Sequence, residues 1–213
     1  MIFLSDRGFY ICLVIGYVFG NFLTAEAVAR LFAGKKPDEI GSGNPGMANI
    51  MSNVGFWAGV LVLAGDVLKT VLACIISYFV LKTYRIETVI LWTGFAAILG
   101  HNYPVWKKFK GGKGVAVCCT WVMLVLGVWG VVVNIIAGIV TFITGYLPIG
   151  GIMVPLLGMV FALYTRGSSV AFFMFLAFLA MLPKHRKALI GIFDGSEKRK
   201  FDSIKKRIGK KEK

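Results

Sequence analysis

The sequence is poor in charged residues, and most of the few it has are basic. Only 16% of the 213 residues are charged, whereas 57% are hydrophobic, above the roughly 45–50% of a soluble domain. Cysteine is scarce and forms no Cys-x-x-Cys pair, so the thiols at positions 12, 74, 118 and 119 are interpreted as buried small apolar groups. This composition excludes a soluble globule, a disordered chain and a disulfide-stapled secreted domain, and it indicates an integral membrane protein.

Seven apolar segments predict an all-α membrane protein, a bundle of about seven transmembrane helices with cytoplasmic motif loops. We expect one transmembrane helical domain over residues 1–195 and a basic cytoplasmic tail over 196–213, which forms either an amphipathic helix (Phe201, Ile204, Ile208) or a solvated coil. No internal repeat is visible, which argues against many transporter folds. The predicted segments are 8–32, 55–81, 87–101, 114–127, 129–146, 149–165 and 168–183.

The net charge of +14 is concentrated after the first and third segments and at the C-terminal end. By the positive-inside rule these parts are cytoplasmic and the N-terminus is outside, which an odd number of spans satisfies. In a membrane protein this excess indicates anionic lipid head groups or anionic substrates as partners rather than nucleic acid.

A first polar segment, residues 41–49, precedes the second span. Its glycines include Gly43 and Gly46, and its polar side chains are those of Ser42, Asn44 and Asn49. It matches Gly-x-Gly-x-x-Gly formally, but no strand precedes it, so a dinucleotide site is rejected. Glycine turns that lead into a helix offer free N–H groups to an anion; a simple tight turn is the alternative.

A second polar segment, residues 100–116, contains Gly-His-Asn-Tyr-Pro and then Lys-Gly-Gly-Lys-Gly. It lacks the spacing of a nucleotide P-loop, yet Lys113 among glycines that open a helix is suited to phosphate. For Lys107, Lys108 and Lys110 we favour anchoring to the inner leaflet. The candidate binding residues of this segment are His101, Asn102, Lys110, Gly111, Gly112 and Gly114. For His101 the alternative is a capped, hydrogen-bonded histidine at a helix end.

A third segment, at the end of the last span, contains His185, Arg186, Gly195 and Glu197. A histidine can move protons near neutral pH, so His185 is a candidate base or hydrogen-bond donor; a basic flank that stops translocation is the alternative. We expect all three segments to lie together beneath the inner leaflet. No cluster of Asp, Glu and His indicates a metal site, and no cofactor is expected.

Ionisable residues inside the apolar segments are costly and therefore informative. Asp66 and Lys69 lie three residues apart, which places them on one helix face as a predicted ion pair. Glu26 has no evident partner nearby, and Lys69, Arg30 and protonation are the alternatives.

At these residues the chain resembles the acyl-phosphate:glycerol-3-phosphate acyltransferases, the bacterial PlsY family. The family motif Ser-Gly-Asn-Pro-Gly corresponds to residues 42–46, the long Gly-His to Gly-Val-Ala motif to residues 100–116, and the His-Arg motif to residues 185–197. The chain departs from the family pattern where Ala48 stands for Thr, Ser52 for Arg and Ala188 for Asn.

The resemblance implies a bacterial inner-membrane enzyme that moves a fatty acyl group from acyl-phosphate to the sn-1 hydroxyl of glycerol 3-phosphate. The products would be lysophosphatidic acid, for phospholipid biosynthesis, and inorganic phosphate. It implies catalytic roles for His185, Lys113 and Ser42, and an enzyme that supplies acyl-phosphate as a further partner. Two alternatives stay open: a paralogue that acylates another acceptor, and a non-catalytic anion transporter.

Overall fold

The computed structural model describes residues 6–197 and residue 199, and within these residues it is helical, with no strand. The predicted all-α class is confirmed, whereas the predicted tail helix at residues 201–208 lies outside the described residues. Two short 3-10 turns, Pro37–Glu39 and Val105–Lys107, lie in the loops. The α-helices of the described part are α1 Arg7–Asn21, α2 Thr24–Ala33, α3 Met47–Asn53, α4 Phe56–Val80, α5 Ile86–Asn102, α6 Val115–Leu126, α7 Val128–Thr144, α8 Leu147–Thr165 and α9 Ser168–Phe193.

Every predicted apolar segment contains helix. By length and composition four stretches of the described part can cross a membrane: Arg7–Ala33, α4, α8 and α9. Helices α6 and α7 are shorter apolar helices of 12 and 17 residues, and α5 has 17 residues. Many large apolar side chains are exposed, as expected where lipid replaces water as the solvent.

Local signals set several of the helix ends. The side chain of Asp6 accepts a hydrogen bond of 2.8 Å from the N–H of Gly8 and so caps the start of α1. Gly34 ends α2 in the left-handed conformation (φ 63°). Gly127 (φ 61°) separates α6 from α7, which the hydropathy pattern nearly fuses.

Two predicted boundaries are wrong. The first segment, 8–32, is not one continuous helix, because the chain leaves helical geometry at Phe22 and Leu23 and starts again as α2. The last segment does not end at residue 183, because α9 continues through Pro183 to Phe193. In both places tertiary contacts or local geometry override the apolar pattern on which the prediction depends.

The described part of the chain divides into two compact units, one that ends at residue 125 and one that begins at residue 126. In the first unit α1 packs along α5 so closely that a Cβ on Gly16 would collide with the main-chain oxygen of Thr93. Small residues permit this approach of two backbones in a membrane. In the second unit α8 packs against both α7 and α9.

A small apolar core in the first unit fixes the loop that follows α2. It joins α2, the loop, α3 and α4, and it is made of Ala25, Val28, Ala29, Ile40, Ile50, Ala58 and Val62, all buried. Because Ile40 and Ile50 flank the first polar segment and are both anchored in this core, residues 41–49 are held at both ends.

An ion cluster ties a second loop to α2. The ammonium of Lys107 forms ion pairs with Glu26 and, at 3.1 Å, with Asp38, while Arg30 lies 3.5 Å from Glu26. Glu26 therefore meets Arg30, one of its three predicted alternatives, and also Lys107, which the sequence did not indicate. Lys107 is not primarily a lipid anchor, and this corrects the interpretation above.

The same cluster keeps Lys107 charged. Burial lowers the pKa of Lys107, but the hydrogen bonds and charges of Glu26 and Asp38 outweigh burial and raise the pKa above its usual value. The stabilisation is therefore fully present below the ordinary lysine pKa and is lost only as the pH rises through the raised value.

We expect Lys107→Met to lower the free energy of unfolding by about 2 kcal/mol, because it leaves the buried carboxylate of Glu26 with Arg30 alone. Thermal unfolding in detergent measures the change. Lys36→Met, at an exposed lysine without an ion pair among those described, is the control and should change little. Equal unfolding temperatures for the two variants would contradict the assignment.

Candidate functional site

The first polar segment is a loop held by its own asparagine. Asn49 accepts a hydrogen bond of 3.0 Å from the N–H of Ser42 and donates one of 2.8 Å to the carbonyl of Ile40. Asn53 donates a further bond of 3.1 Å to the same oxygen of Asn49. The carboxamide of Asn49 thus shapes the loop from inside, whereas the hydroxyl of Ser42 lies on an exposed residue.

The second polar segment folds back on the end of α5. The N–H of Gly111 donates to the carbonyl of Asn102 at 3.1 Å, and that of Gly112 donates to the carbonyl of His101 at 3.0 Å. This corrects the prediction that Gly111 and Gly112 are binding residues, because their N–H groups are already bonded within the protein. The two glycines serve instead to let the loop lie against α5, since a Cβ on Gly111 would collide with the His101 carbonyl.

The two polar segments of the first unit meet at Gly112. A Cβ on Gly112 would collide with Nε2 of His101 and would lie 3.0 Å from the main-chain oxygen of Pro45. The turn of the first motif and the glycine loop of the second are therefore in contact range. Two of the three polar segments that we expect to lie together therefore do so, and both belong to the first unit.

Lys113 follows this junction, and one glycine separates it from the start of α6. Its side chain is half-buried, whereas Lys110 is exposed. Gly114 has a φ of 77°, so its left-handed backbone turns the chain into α6. The first bond of α6 is donated by the N–H of Cys118 to the carbonyl of Gly114 at 2.8 Å. The N–H groups of the first turn come before it and are not used within the helix.

Asn102 places an unusual polar group beneath Gly114. The residue is fully buried, and neither polar atom of its side chain has a hydrogen-bond partner among the described residues. A Cβ on Gly114 would collide with its side-chain oxygen. A buried polar group without a partner calls for an explanation, and a ligand is one of the usual ones.

A buried charged cluster lies behind His101. The ammonium of Lys69 is 2.8 Å from Asp66, which confirms the predicted ion pair, and 2.8 Å from Nδ1 of His101. Thr24 donates a bond of 3.2 Å to Asp66. The sequence predicted the pair but not its contact with His101, because residues 69 and 101 belong to different helices.

In the second unit His185 lies in α9 and is fully buried. Its Nδ1 lies 3.0 Å from the carbonyl oxygen of Met181. A carbonyl only accepts, so Nδ1 carries the proton, and in the neutral ring Nε2 has the lone pair that a base requires. The third motif continues to the end of α9, where the N–H of Glu197 bonds to the carbonyl of Gly191 at 2.7 Å.

Among the described residues no cluster of three or more His, Cys, Asp or Glu could hold a metal ion.

Comparisons with known proteins agree on one family. A family model described as glycerol-3-phosphate acyltransferase matches residues 10–195. The chain is 35% identical over 202 residues to "glycerol-3-phosphate acyltransferase 1" of Lactobacillus johnsonii, covering 94% of this chain and 97% of that one. It is 39% identical over 198 residues to the protein of the same name from Lactobacillus acidophilus, covering 92% and 95%.

Two solved structures share the fold. The crystal structure of PlsY, an integral membrane glycerol 3-phosphate acyltransferase, in its glycerol 3-phosphate form has a TM-score of 0.80 and 27% identity, with 91% of this chain and 96% of that chain covered. The lysophosphatidic acid form has a TM-score of 0.78 and 26% identity, with 91% and 95% covered. The resemblance seen in the three motifs is confirmed, and the chain belongs to the glycerol-3-phosphate acyltransferase family of integral membrane proteins.

Proposed function

We propose that this protein transfers a fatty acyl group from acyl-phosphate to the sn-1 hydroxyl of glycerol 3-phosphate, giving lysophosphatidic acid and inorganic phosphate. The observation that carries the proposal is the junction at Gly112, where two motif loops of this family meet beside the half-buried Lys113. Acyl-phosphate is already activated, so the protein needs to bind two anions and align a hydroxyl with a carbonyl.

On the donor side, Lys113 supplies a positive charge to the phosphate of acyl-phosphate, and the first turn of α6 supplies main-chain N–H groups and the positive end of its dipole. The buried carboxamide of Asn102 supplies a further hydrogen bond beneath Gly114. As the C–O bond to phosphate breaks, negative charge grows on the leaving phosphate, and these groups stabilise it more strongly than the ground state.

On the acceptor side, we assign the exposed Ser42, with Gly43, Asn44 and Gly46, to glycerol 3-phosphate. Asn49, also predicted as a binding residue, is left out because its carboxamide is bonded within the loop. The new ester C–O bond forms as the hydroxyl loses its proton. That proton passes to an oxygen of the departing phosphate or to a base, a role that the sequence predicts for His185, in which Nδ1 is already protonated and bonded to Met181. No covalent enzyme intermediate is needed in either case.

We also propose that the protein lies in the bacterial inner membrane with its N-terminus outside and its C-terminus in the cytoplasm. The support is the excess of lysine and arginine after the first and third apolar segments. Membrane lipids are the partners that this location implies, and the proposed use of acyl-phosphate implies an enzyme that supplies it.

The direct test uses purified protein in detergent with palmitoyl-phosphate and glycerol 3-phosphate. We expect release of inorganic phosphate together with lysophosphatidic acid, detected by mass spectrometry, and neither product when the acyl donor is omitted. Failure to release phosphate with any short polyol phosphate as acceptor would refute the proposal.

One observation favours a second candidate, a paralogue that acylates a different alcohol. Ala48, Ser52 and Ala188 stand where the family pattern has Thr, Arg and Asn, so several groups that could grip an acceptor phosphate are missing, and each charged hydrogen bond lost costs about 1.5–3 kcal/mol. Mass spectrometry of lipids from cells that overproduce the protein distinguishes the two, because the acylated product identifies the acceptor.

A further inference from the structure

The buried ammonium of Lys69 lies 3.5 Å from the carbonyl oxygen of Gly20 and makes three shorter hydrogen-bond contacts. They are Oδ1 of Asp66 at 2.8 Å, Nδ1 of His101 at 2.8 Å and the carbonyl of Phe22 at 2.7 Å. Asp66, Lys69 and His101 are each more than nine-tenths buried. An ammonium has three protons and no lone pair, so all three contacts are donated by Lys69, and Nδ1 of His101 must be the acceptor.

The acceptor role of Nδ1 fixes the proton of His101. With its lone pair turned to Lys69, the neutral ring carries its only proton on Nε2. That nitrogen and the carbonyl oxygen of Pro45 both border the position that a Cβ on Gly112 would take, the oxygen at 3.0 Å from it. A carbonyl oxygen is favourable opposite an N–H and repulsive opposite a nitrogen lone pair, so the tautomer decides whether the two loops attract each other through His101.

We propose that Lys69 is a positioning residue that fixes His101 as the Nε2–H tautomer and thereby holds the first motif loop against the glycine loop. Its effect on turnover rests on the proposed acyltransferase function. His101 itself is then a buried link between the loops, which replaces its predicted role as a substrate-binding residue.

The carboxylate of Asp66 determines where the proton of His101 lies when Lys69 is removed. Oδ1 of Asp66 lies 3.7 Å from Nδ1 of His101, and the other groups on Asp66 are Lys69 and the hydroxyl of Thr24. Without the ammonium, Asp66 attracts the proton of His101 to Nδ1. The lone pair then moves to Nε2, on the side of Gly112 that the carbonyl oxygen of Pro45 also borders, and the attraction between the loops is lost.

The protein contains only two histidines, so nitrogen NMR of 15N-histidine-labelled protein in detergent can read both rings. We expect two neutral tautomers of opposite type, with the proton on Nε2 in His101 and on Nδ1 in His185, which bonds to Met181. A His185→Gln variant assigns the signals. A proton on Nδ1 of His101 in the unaltered protein would overturn the proposal without the need for any Lys69 variant.

Two further variants test the role of the lysine. Lys69→Met should move the proton of His101 to Nδ1 and reduce kcat about 100-fold, the scale of a displacement of about 1 Å caused by a change away from the reacting groups. Lys69→Met with Asp66→Leu removes the competing carboxylate and should recover part of that loss. Equal or lower activity in the double variant would indicate that the ion pair only stabilises the fold.

A variant pair at His101 separates the donor from packing. His101→Gln can place its amide N–H near the position of Nε2, whereas His101→Asn reaches only the position of Nδ1. We expect the glutamine variant to keep more activity, and equal activities would count against the donor. If no variant or parent protein acylates any acceptor, the proposed function fails, while the NMR result still decides the tautomer.

Discussion

Lys113→Ala is expected to abolish measurable acyl transfer while leaving the protein folded. The lysine lies in the loop before α6, half-buried and outside any helix, so removal of its side chain should lower the free energy of unfolding by about 1 kcal/mol, too little to unfold the protein. Its positive charge is assigned to the leaving phosphate, where one lost donor typically costs about 10²–10³ in kcat. Phosphate release from palmitoyl-phosphate measures the effect.

The matched control for this variant is Lys35→Ala, at an exposed lysine of the same cytoplasmic side by the charge rule. It should retain full activity, and that result would show that a lower net positive charge does not by itself reduce turnover. Lys113→Arg keeps the charge but not its compact shape, so we expect partial activity. Retained turnover in Lys113→Ala would refute the phosphate role.

Asn102→Leu is expected to move stability and activity in opposite directions. The carboxamide is fully buried and lacks a partner among the described residues, so an apolar side chain of similar size should raise the free energy of unfolding by about 1–3 kcal/mol. If the carboxamide binds the donor phosphate, the same change should lower kcat/KM about 10–100-fold, the value of one charge-assisted hydrogen bond. Thermal unfolding and the transfer assay are measured on one preparation.

Ser77→Ala is the matched control, because the hydroxyl of Ser77 is also buried in the described part without a hydrogen-bond partner but lies within α4, away from the motif loops. It should gain stability without losing activity. If Asn102→Leu proved as active as the unaltered protein, Asn102 would have no ligand, and if it proved less stable, its carboxamide would have a structural partner.

Much of the site could be predicted because its elements have local signatures. Glycine, proline and asparagine mark the loop at residues 41–49, and the lysine–glycine run marks the loop at 110–114. The charge of the loops predicted that both lie on one side of the membrane, and their meeting at Gly112 agrees with this. The pair of Asp66 and Lys69 followed from helical spacing alone.

The features that the sequence did not predict depend on residues far apart in the chain. Lys107 pairs with Glu26 across 81 positions, and Lys69 reaches His101 across 32. Gly111 and Gly112 direct their N–H groups to α5 rather than outward. Hydropathy and spacing describe what one segment does by itself, so they contain no information on which partner a buried donor selects.

The break between α1 and α2 has a consequence for the order in which the protein assembles. Leaving helical geometry at Phe22 exposes main-chain oxygens that lipid cannot satisfy, and the oxygen of Phe22 is satisfied by Lys69, 47 residues later. Because a chain is synthesised from its N-terminus, the first 33 residues are made before that ammonium exists. The first apolar stretch is therefore expected to enter the bilayer as one continuous helix and to bend only when α4 arrives beside it.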